Sequence, residues 1–354
     1  MDYRPTVSIC IPTYNGADFL SEAIESAIKQ TYTNFELLII DDCSRDNTLE
    51  IANKFAESDN RIRVFTNPIN LGLVGNWNNS ISLANGEWIK FLFQDDYLAH
   101  DCLEKMMSCS EGQNLVISNR KYIFEEGINK KDHYDYLILE NKLNFSNIYK
   151  YHLFFTDRQF SFATARYPAI NIWGEPTSML IRKEAFLQYG YFDENFKQTC
   201  DLEFWARVGT NSGAAFVHDK LVFFRVHKKS TTMTNHSDKA FYVNFNDFFL
   251  FVHKLYYSDL FKKFRSNVSF SKLAIIELEL AEHARGLKRW ENGKDIFMQK
   301  CQARFPEFDK YFLNPTKELI QAQLKSFVSY PSFFFTLMRN KVIGKIDKYV
   351  LKKF

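Results

Sequence analysis

Over the first 120 residues, apolar runs of strand length alternate with amphipathic helical segments, and this alternation restricts the fold more than any other property of the chain. The runs Val7 to Ile11, Phe35 to Ile40, Ile62 to Phe65, Trp88 to Phe93 and Leu115 to Ile117 are bounded by polar or turn-forming residues. Between the first two, a helical period places Leu20, Ala23, Ile24, Ala27 and Ile28 on one face. Thr48 to Ala56 and Val74 to Ala84 repeat that period, and Gly86 stands where a helix C-terminus favours glycine. Strand, helix, strand, helix predicts an α/β fold: a mostly parallel sheet flanked by helices, with ligands at the carboxyl ends of the strands.

The pattern loosens over residues 121 to 175 and turns helical from about residue 235. The expected organisation is therefore an α/β domain over 1–235, in two parts at about 1–120 and 121–235, followed by a helical region over 236–354. A net charge of +3 gives too little positive potential for a nucleic-acid partner. Six cysteines without a CxxC pair predict free thiols in a reducing compartment. Met1 to Pro5 lead into the first strand without an apolar signal segment, and no run of about 18 apolar residues occurs, so a cytoplasmic protein is expected. The 36 Phe and 18 Tyr imply either an aromatic core or surfaces that meet sugar or lipid.

Three strand ends carry polar clusters. The first is Pro12-Thr13-Tyr14-Asn15-Gly16, whose amides, hydroxyl and ring suit a nucleotide, although a plain turn accounts for it equally well. The second is Asp41-Asp42-Cys43-Ser44-Arg45-Asp46, where Ser44 or Asp46 could cap the next helix but two adjacent aspartates exceed what capping needs. The third is Gln94-Asp95-Asp96-Tyr97. Paired carboxylates at a buried strand tip repel unless a cation or donor hydroxyls offset them, which points to Mg²⁺ or Mn²⁺. The GxGxxG of a Rossmann oxidoreductase is missing after the first strand, as is the Gly-rich, Lys-bearing loop of a nucleotidyltransferase.

Taken together, Pro12-Thr13-Tyr14-Asn15, Gln30 to Leu37, Ile39 to Ser44, Asn70-Leu71-Gly72, Ala84 to Ile89 and Asp95-Asp96 resemble, in order and spacing, family 2 of the inverting glycosyltransferases, of GT-A fold. The likeness continues through Gly190 to Glu194 and Cys200 to Arg207 to Arg225-Val226-His227, covering roughly residues 5 to 235. It implies a nucleotide-sugar half over 1–120 and an acceptor half over 121–235. Pro12, Thr13, Tyr14, Asn15, Asn70 and Gly72 would hold the nucleotide, with the Tyr14 ring on the base and Asp42 reading a pyrimidine edge. Asp95 and Asp96 match the DXD-type motif, one meeting the ribose and Asp96 binding the divalent cation, with His227 or a water completing the coordination. Asp201 matches the catalytic base; Glu203 and Trp205 either pack in the core, the simpler reading, or face the acceptor. The implied donor is a UDP-sugar before a dTDP-sugar, and the acceptor a glycan or lipid-linked hydroxyl in bacterial surface polysaccharide synthesis. Two departures, Cys200 for an acidic neighbour of the base and Phe93 for an aspartate, leave a catalytically silent nucleotide-sugar or glycan binding protein as the alternative.

From Lys325 to Phe354 the chain carries seven basic residues against Asp347 alone. On a helix, Lys341, Lys345, Lys348 and Lys352 fall within a fan of about 60°. Val342, Ile343, Ile346, Tyr349 and Val350 occupy another face, with Phe333, Phe334 and Phe335 upstream. Such a segment is expected to lie on an anionic membrane surface and place the protein peripherally on the inner face of the cytoplasmic membrane. Deleting residues 326–354 should release the protein from anionic liposomes at low salt. Failure of the full-length chain to co-sediment with them would discard the membrane reading.

Overall fold

The computed structural model describes residues 5–168, 170–230 and 240–269, together with Leu273 and Ile276. In chain order the strands and helices are β1 (Val7–Thr13), α1 (Leu20–Ile28), β2 (Phe35–Asp41), α2 (Thr48–Ser58), β3 (Ile62–Thr66), α3 (Gly72–Leu83), β4 (Trp88–Phe91), β5 (Tyr97–Leu98), α4 (Cys102–Met107) and β6 (Leu115–Phe124). There follow α5 (Lys130–Asn141), α6 (Phe145–Ile148), β7 (Phe154–Phe155), α7 (Asp157–Arg166), β8 (Met179–Arg182), α8 (Lys183–Tyr189), α9 (Cys200–Ser212), β9 (Ala214–Val226), α10 (Ala240–Tyr257) and α11 (Lys262–Asn267).

Among the described residues the strands form one nine-stranded sheet in the order β3-β2-β1-β4-β8-β6-β9-β5, with β7 on β9. The first four are parallel: Val7 to Thr13 run opposite Phe35 to Asp41, and Val7 to Cys10 opposite Trp88 to Phe91. β8 is antiparallel to both β4 and β6, and β9 is parallel to β6. This is the expected α/β architecture, a mainly parallel sheet flanked by helices. All residues of β1 and β2 are buried because helices cover both faces, which is why these strands read as continuous apolar runs rather than as alternation. Each Val, Leu or Ile so buried contributes about 1.5–3 kcal/mol.

The aromatics fill this core. Trp77, Phe91, Phe93, Phe192, Phe186, Phe204 and Trp205 form a chain of ring contacts, and Phe160, Trp173, Phe216 and Phe145 form another. Tyr151, Phe154 and Phe162 are exceptions that face outward.

Gly86 plays a different part from the expected helix terminator. α3 ends at Leu83 with an extended Ala84, while a Cβ on Gly86 would come within 2.5 Å of the Ser8 amide nitrogen. The residue is there to let this loop lie against β1, where its amide donates to Ser8 Oγ at 2.8 Å.

The first compact unit runs to Phe248, so it takes in the start of α10. In the second, from Phe249, the described residues Phe251, Phe261 and Phe264 pack edge to face. The basic tail lies outside the described residues. No described helix is long and apolar enough to cross a membrane.

Glu36 fastens β1 and β2 to the α3–β4 loop: it accepts from Ser8 Oγ at 2.6 Å, from the Asn85 amide at 2.6 Å and from Arg63 at 3.2 Å. Burial works against its charge, but these hydrogen bonds outweigh it and hold the carboxyl below its ordinary value. A depressed carboxyl contributes stability that is complete above its unfolded pKa and is lost as the pH falls through the folded value. Glu36→Ala should therefore cost about 2–3 kcal/mol at neutral pH, and its deficit against wild type in urea denaturation should shrink as the pH is lowered toward 4. A pH-independent deficit would mean that packing alone is lost.

Candidate functional site

Along β3-β2-β1-β4 the strand order changes sense between the parallel neighbours β1 and β4, and the crevice beyond their carboxyl ends is the natural binding place of an open α/β sheet. A cavity of about 600 Å³ opens there. Its lining includes Pro12, Thr13, Tyr14, Asn15, Asp42, Asn70, Gly72, Asp95, Asp201 and His227, bringing together most of the residues singled out in the sequence.

The turn at residues 12–16 is bound on two sides. Gln94 Oε1 accepts from Thr13 Oγ1 at 2.5 Å and from the Tyr14 amide at 2.8 Å, while Gln94 Nε2 donates to Tyr14 O. Asn15, at φ +48°, donates its amide to Ser44 Oγ and accepts from the Arg45 amide, which joins this turn to the one after β2. The Tyr14 ring is left 45% exposed, free to stack. Asp42 is buried, with Oδ1 accepting from Asn67 Nδ2 and the Leu71 amide and Oδ2 from the Gly72 amide. The positive φ of Gly72 (+74°) aims that amide at the carboxylate. Three of roughly four acceptor positions are thus used, and one remains for a donor in the cavity.

The adjacent aspartates part company. Asp96 is buried and turned away from the cavity: Oδ2 accepts from Thr177 Oγ1 at 2.7 Å and Oδ1 from the Arg225 amide at 3.0 Å. Burial, then the charge of Asp95, pushes its carboxyl well up. Asp95 faces the cavity, and its Oδ2 lies 2.9 Å from His227 Nε2. The expected Asp96–His227 pairing is therefore replaced by Asp95–His227, because neighbouring side chains at the strand tip point to opposite sides. Among the described residues no cluster of three or more His, Cys, Asp and Glu side chains is gathered for a metal. Arg225 does not line the cavity; its guanidinium is held by Glu22 and Glu125.

Asp201 lies in the first turn of α9. Its Oδ1 accepts from the Leu202 amide at 2.7 Å and its Oδ2 from Asn171 Nδ2 at 2.9 Å. Burial raises its pKa to about 7. Glu203 and Trp205, expected to pack in the core or face the acceptor, are fully buried behind this wall. Glu203 pairs with Arg207 at 2.9 Å, and Trp205 Nε1 donates to Gly174 O at 3.0 Å.

Sequence reasoning missed Gln94, Asn171, Glu175 and Asp247. Asp247 projects from α10, and its carboxylate accepts from the amides of Lys197, Gln198 and Thr199, closing the turn that leads into α9. Only Gln94 carried a signal, its place beside the aspartate pair; the others act through contacts between distant segments.

Comparison with known proteins identifies a family and a similar fold. A family model described as Glycosyl transferase family 2 matches residues 8–189. An uncharacterized glycosyltransferase of Haemophilus influenzae is 38% identical over 120 residues, 34% of this chain and 48% of that protein, so the match spans about half the relative's length. Chondroitin synthase of Pasteurella multocida is 41% identical over 100 residues, 28% of this chain and 10% of the synthase. Among solved structures, S. aureus TarS 1-349 in complex with UDP-GlcNAc superposes with a TM-score of 0.56 at 18% identity, covering 93% of this chain and 88% of that one, a likeness of fold.

Proposed function

Because the chain belongs to glycosyl transferase family 2, we propose that it moves a sugar from a nucleotide diphosphate to an acceptor hydroxyl with inversion. The donor is a UDP-sugar before a dTDP-sugar, and the acceptor a glycan or lipid-linked hydroxyl in surface polysaccharide synthesis. The observation that carries this reading is one cavity holding a nucleotide loop, a carboxylate–imidazole pair and a carboxyl raised to about 7. The UDP-GlcNAc of the TarS complex and the polymer made by the chondroitin synthase support the donor and the product class.

Residues 1–120 hold the donor and 121–235 the acceptor. Tyr14 stacks on the base and Asp42 accepts from its edge. Asp95 Oδ2 and His227 Nε2, an oxygen and a nitrogen donor on the cavity wall, fit Mn²⁺ or Mg²⁺. Mg²⁺ in particular commonly takes one or two carboxylates and completes its shell with phosphate oxygens and water. Asp96 supports this pair from behind. When bound, the cation supplies Lewis-acid neutralisation of the departing diphosphate. Asp201 takes the proton of the acceptor hydroxyl as its oxygen bonds to the sugar carbon and the carbon–phosphate oxygen bond breaks, its electron pair leaving with the nucleotide. With no enzyme nucleophile, one displacement inverts the carbon.

Asp95→Ala should bind UDP equally with Mn²⁺ or with EDTA in calorimetry, whereas wild type binds more tightly with Mn²⁺. Retention of the Mn²⁺ effect in this variant would move the metal seat elsewhere. A base of this kind works only when unprotonated, so the transfer rate should climb through pH of about 7 and level above it. Asp201→Asn should lower that rate by roughly 10² to 10⁴ while leaving UDP affinity unchanged. Comparable turnover in the Asn variant would refute Asp201 as base.

A further inference from the structure

The wall around Asp201 is built by the loop of residues 171–176. Asn171 Oδ1 accepts from the Gly174 amide at 3.1 Å, and its Nδ2 donates both to Gly174 O at 3.0 Å and to Asp201 Oδ2 at 2.9 Å. Trp205, one turn along α9, donates to the same Gly174 carbonyl. This loop and Asp201 are thus fixed to each other. The next residue, Glu175, lines the same cavity as Asp201, with a side chain 20% exposed.

Glu175 is held from behind. Its Oε1 accepts from Tyr122 Oη at 3.0 Å, and its Oε2 lies 2.6 Å from Arg120 Nε, which also donates to Tyr122 Oη at 2.9 Å. Arg120 is buried, and its two terminal nitrogens have no hydrogen-bond partner. Its guanidinium thus makes these polar contacts through Nε alone, to Glu175 and Tyr122. The residue before the base, Cys200, is also fully buried; burial pushes its thiol well up, so it stays neutral.

We propose that Glu175 is the second carboxylate of the transfer end of the cavity and works as a positioning residue on Asp201. Two carboxylates lining one cavity, with Asp201 itself buried, disfavour double ionisation, and the cost makes Asp201 a stronger proton acceptor near neutral pH. The other charged groups around Asp201 do not supply this. Arg120 opposes it, Glu203 is fully buried and does not line the cavity, Asp247 is engaged by three amides, and Lys197 is of the wrong sign. The role rests on Asp201 being the base, but the effect on its proton is a property of the free protein.

The test uses full-length protein labelled with carbon-13 at aspartate side-chain carboxyls, the Asp201 signal being assigned by its loss in Asp201→Asn. Its titration midpoint should lie near 7 in wild type. In Glu175→Gln the midpoint should fall by about half a pH unit or more, and in Glu175→Asp, which withdraws the charge by one methylene, by less. UDP affinity should stay within about twofold in both, since neither touches the nucleotide loop. An unmoved midpoint in both variants overturns the proposal, and the Asp variant decides alone if the Gln variant does not fold. A midpoint that moves in a protein without transferase activity would sink the proposed reaction and leave the coupling standing.

Discussion

The carboxylate of Asp96 holds the two parts of the site together. It stands at the tip of the parallel half of the sheet, yet its partners, the Thr177 hydroxyl and the Arg225 amide, belong to the segments that enter β8 and leave β9. Lys90, fully buried below, donates to the Thr177 carbonyl, so the contact is anchored from both ends of that residue. Removing the carboxylate would orphan two buried donors, at about 1–3 kcal/mol each. With Asp96 turned inward, Asp95 turns outward, and the end of β9 delivers His227 to it.

The same economy governs the arginines. Arg225 is neutralised by Glu22 and Glu125, Arg207 by Glu203, and Arg120 sits against Glu175. The strong permanent cations are therefore committed to holding walls in place. What remains toward the cavity is a set of carboxylates, Asp95, Glu175 and Asp201 among them, with Lys197 and Lys229 on the lining. Among the described residues, no arginine lines the cavity.

The parallel half was legible because local periodicity and burial agree there: β1, β2, β3 and β4 and their helices fall where apolar runs and amphipathic faces predict. β8 and β9 were not, since their strands are short or half-polar and owe their pairing to neighbours far along the chain. The site followed the same division. Tyr14, Asp42 and Asp95 belong to clusters that follow strands, whereas Asp201, in the first turn of α9, was reached through the family resemblance alone. The choice between Asp95 and Asp96 could not be made from sequence, because alternation of side chains at a strand tip fixes which one points inward only when its partners are known. Glu203 and Trp205 misled for a related reason: helical spacing from Asp201 says nothing about which face of α9 meets the core.

The position of His227 bears on the order in which the chain can become competent. β1, β2 and β3 pair with their neighbours in sequence, while the contact between Asp95 and His227 spans 132 residues and Asp96 meets Arg225 across 129. Loop-closure entropy and dependence on β9 put these contacts among the last to form. A chain still emerging from the ribosome can thus form the Tyr14 turn before the imidazole reaches Asp95. The cavity between Tyr14 and His227 is therefore closed only by the late pairings of the sheet, and a chain cut before β9 would carry the turn without the opposite wall.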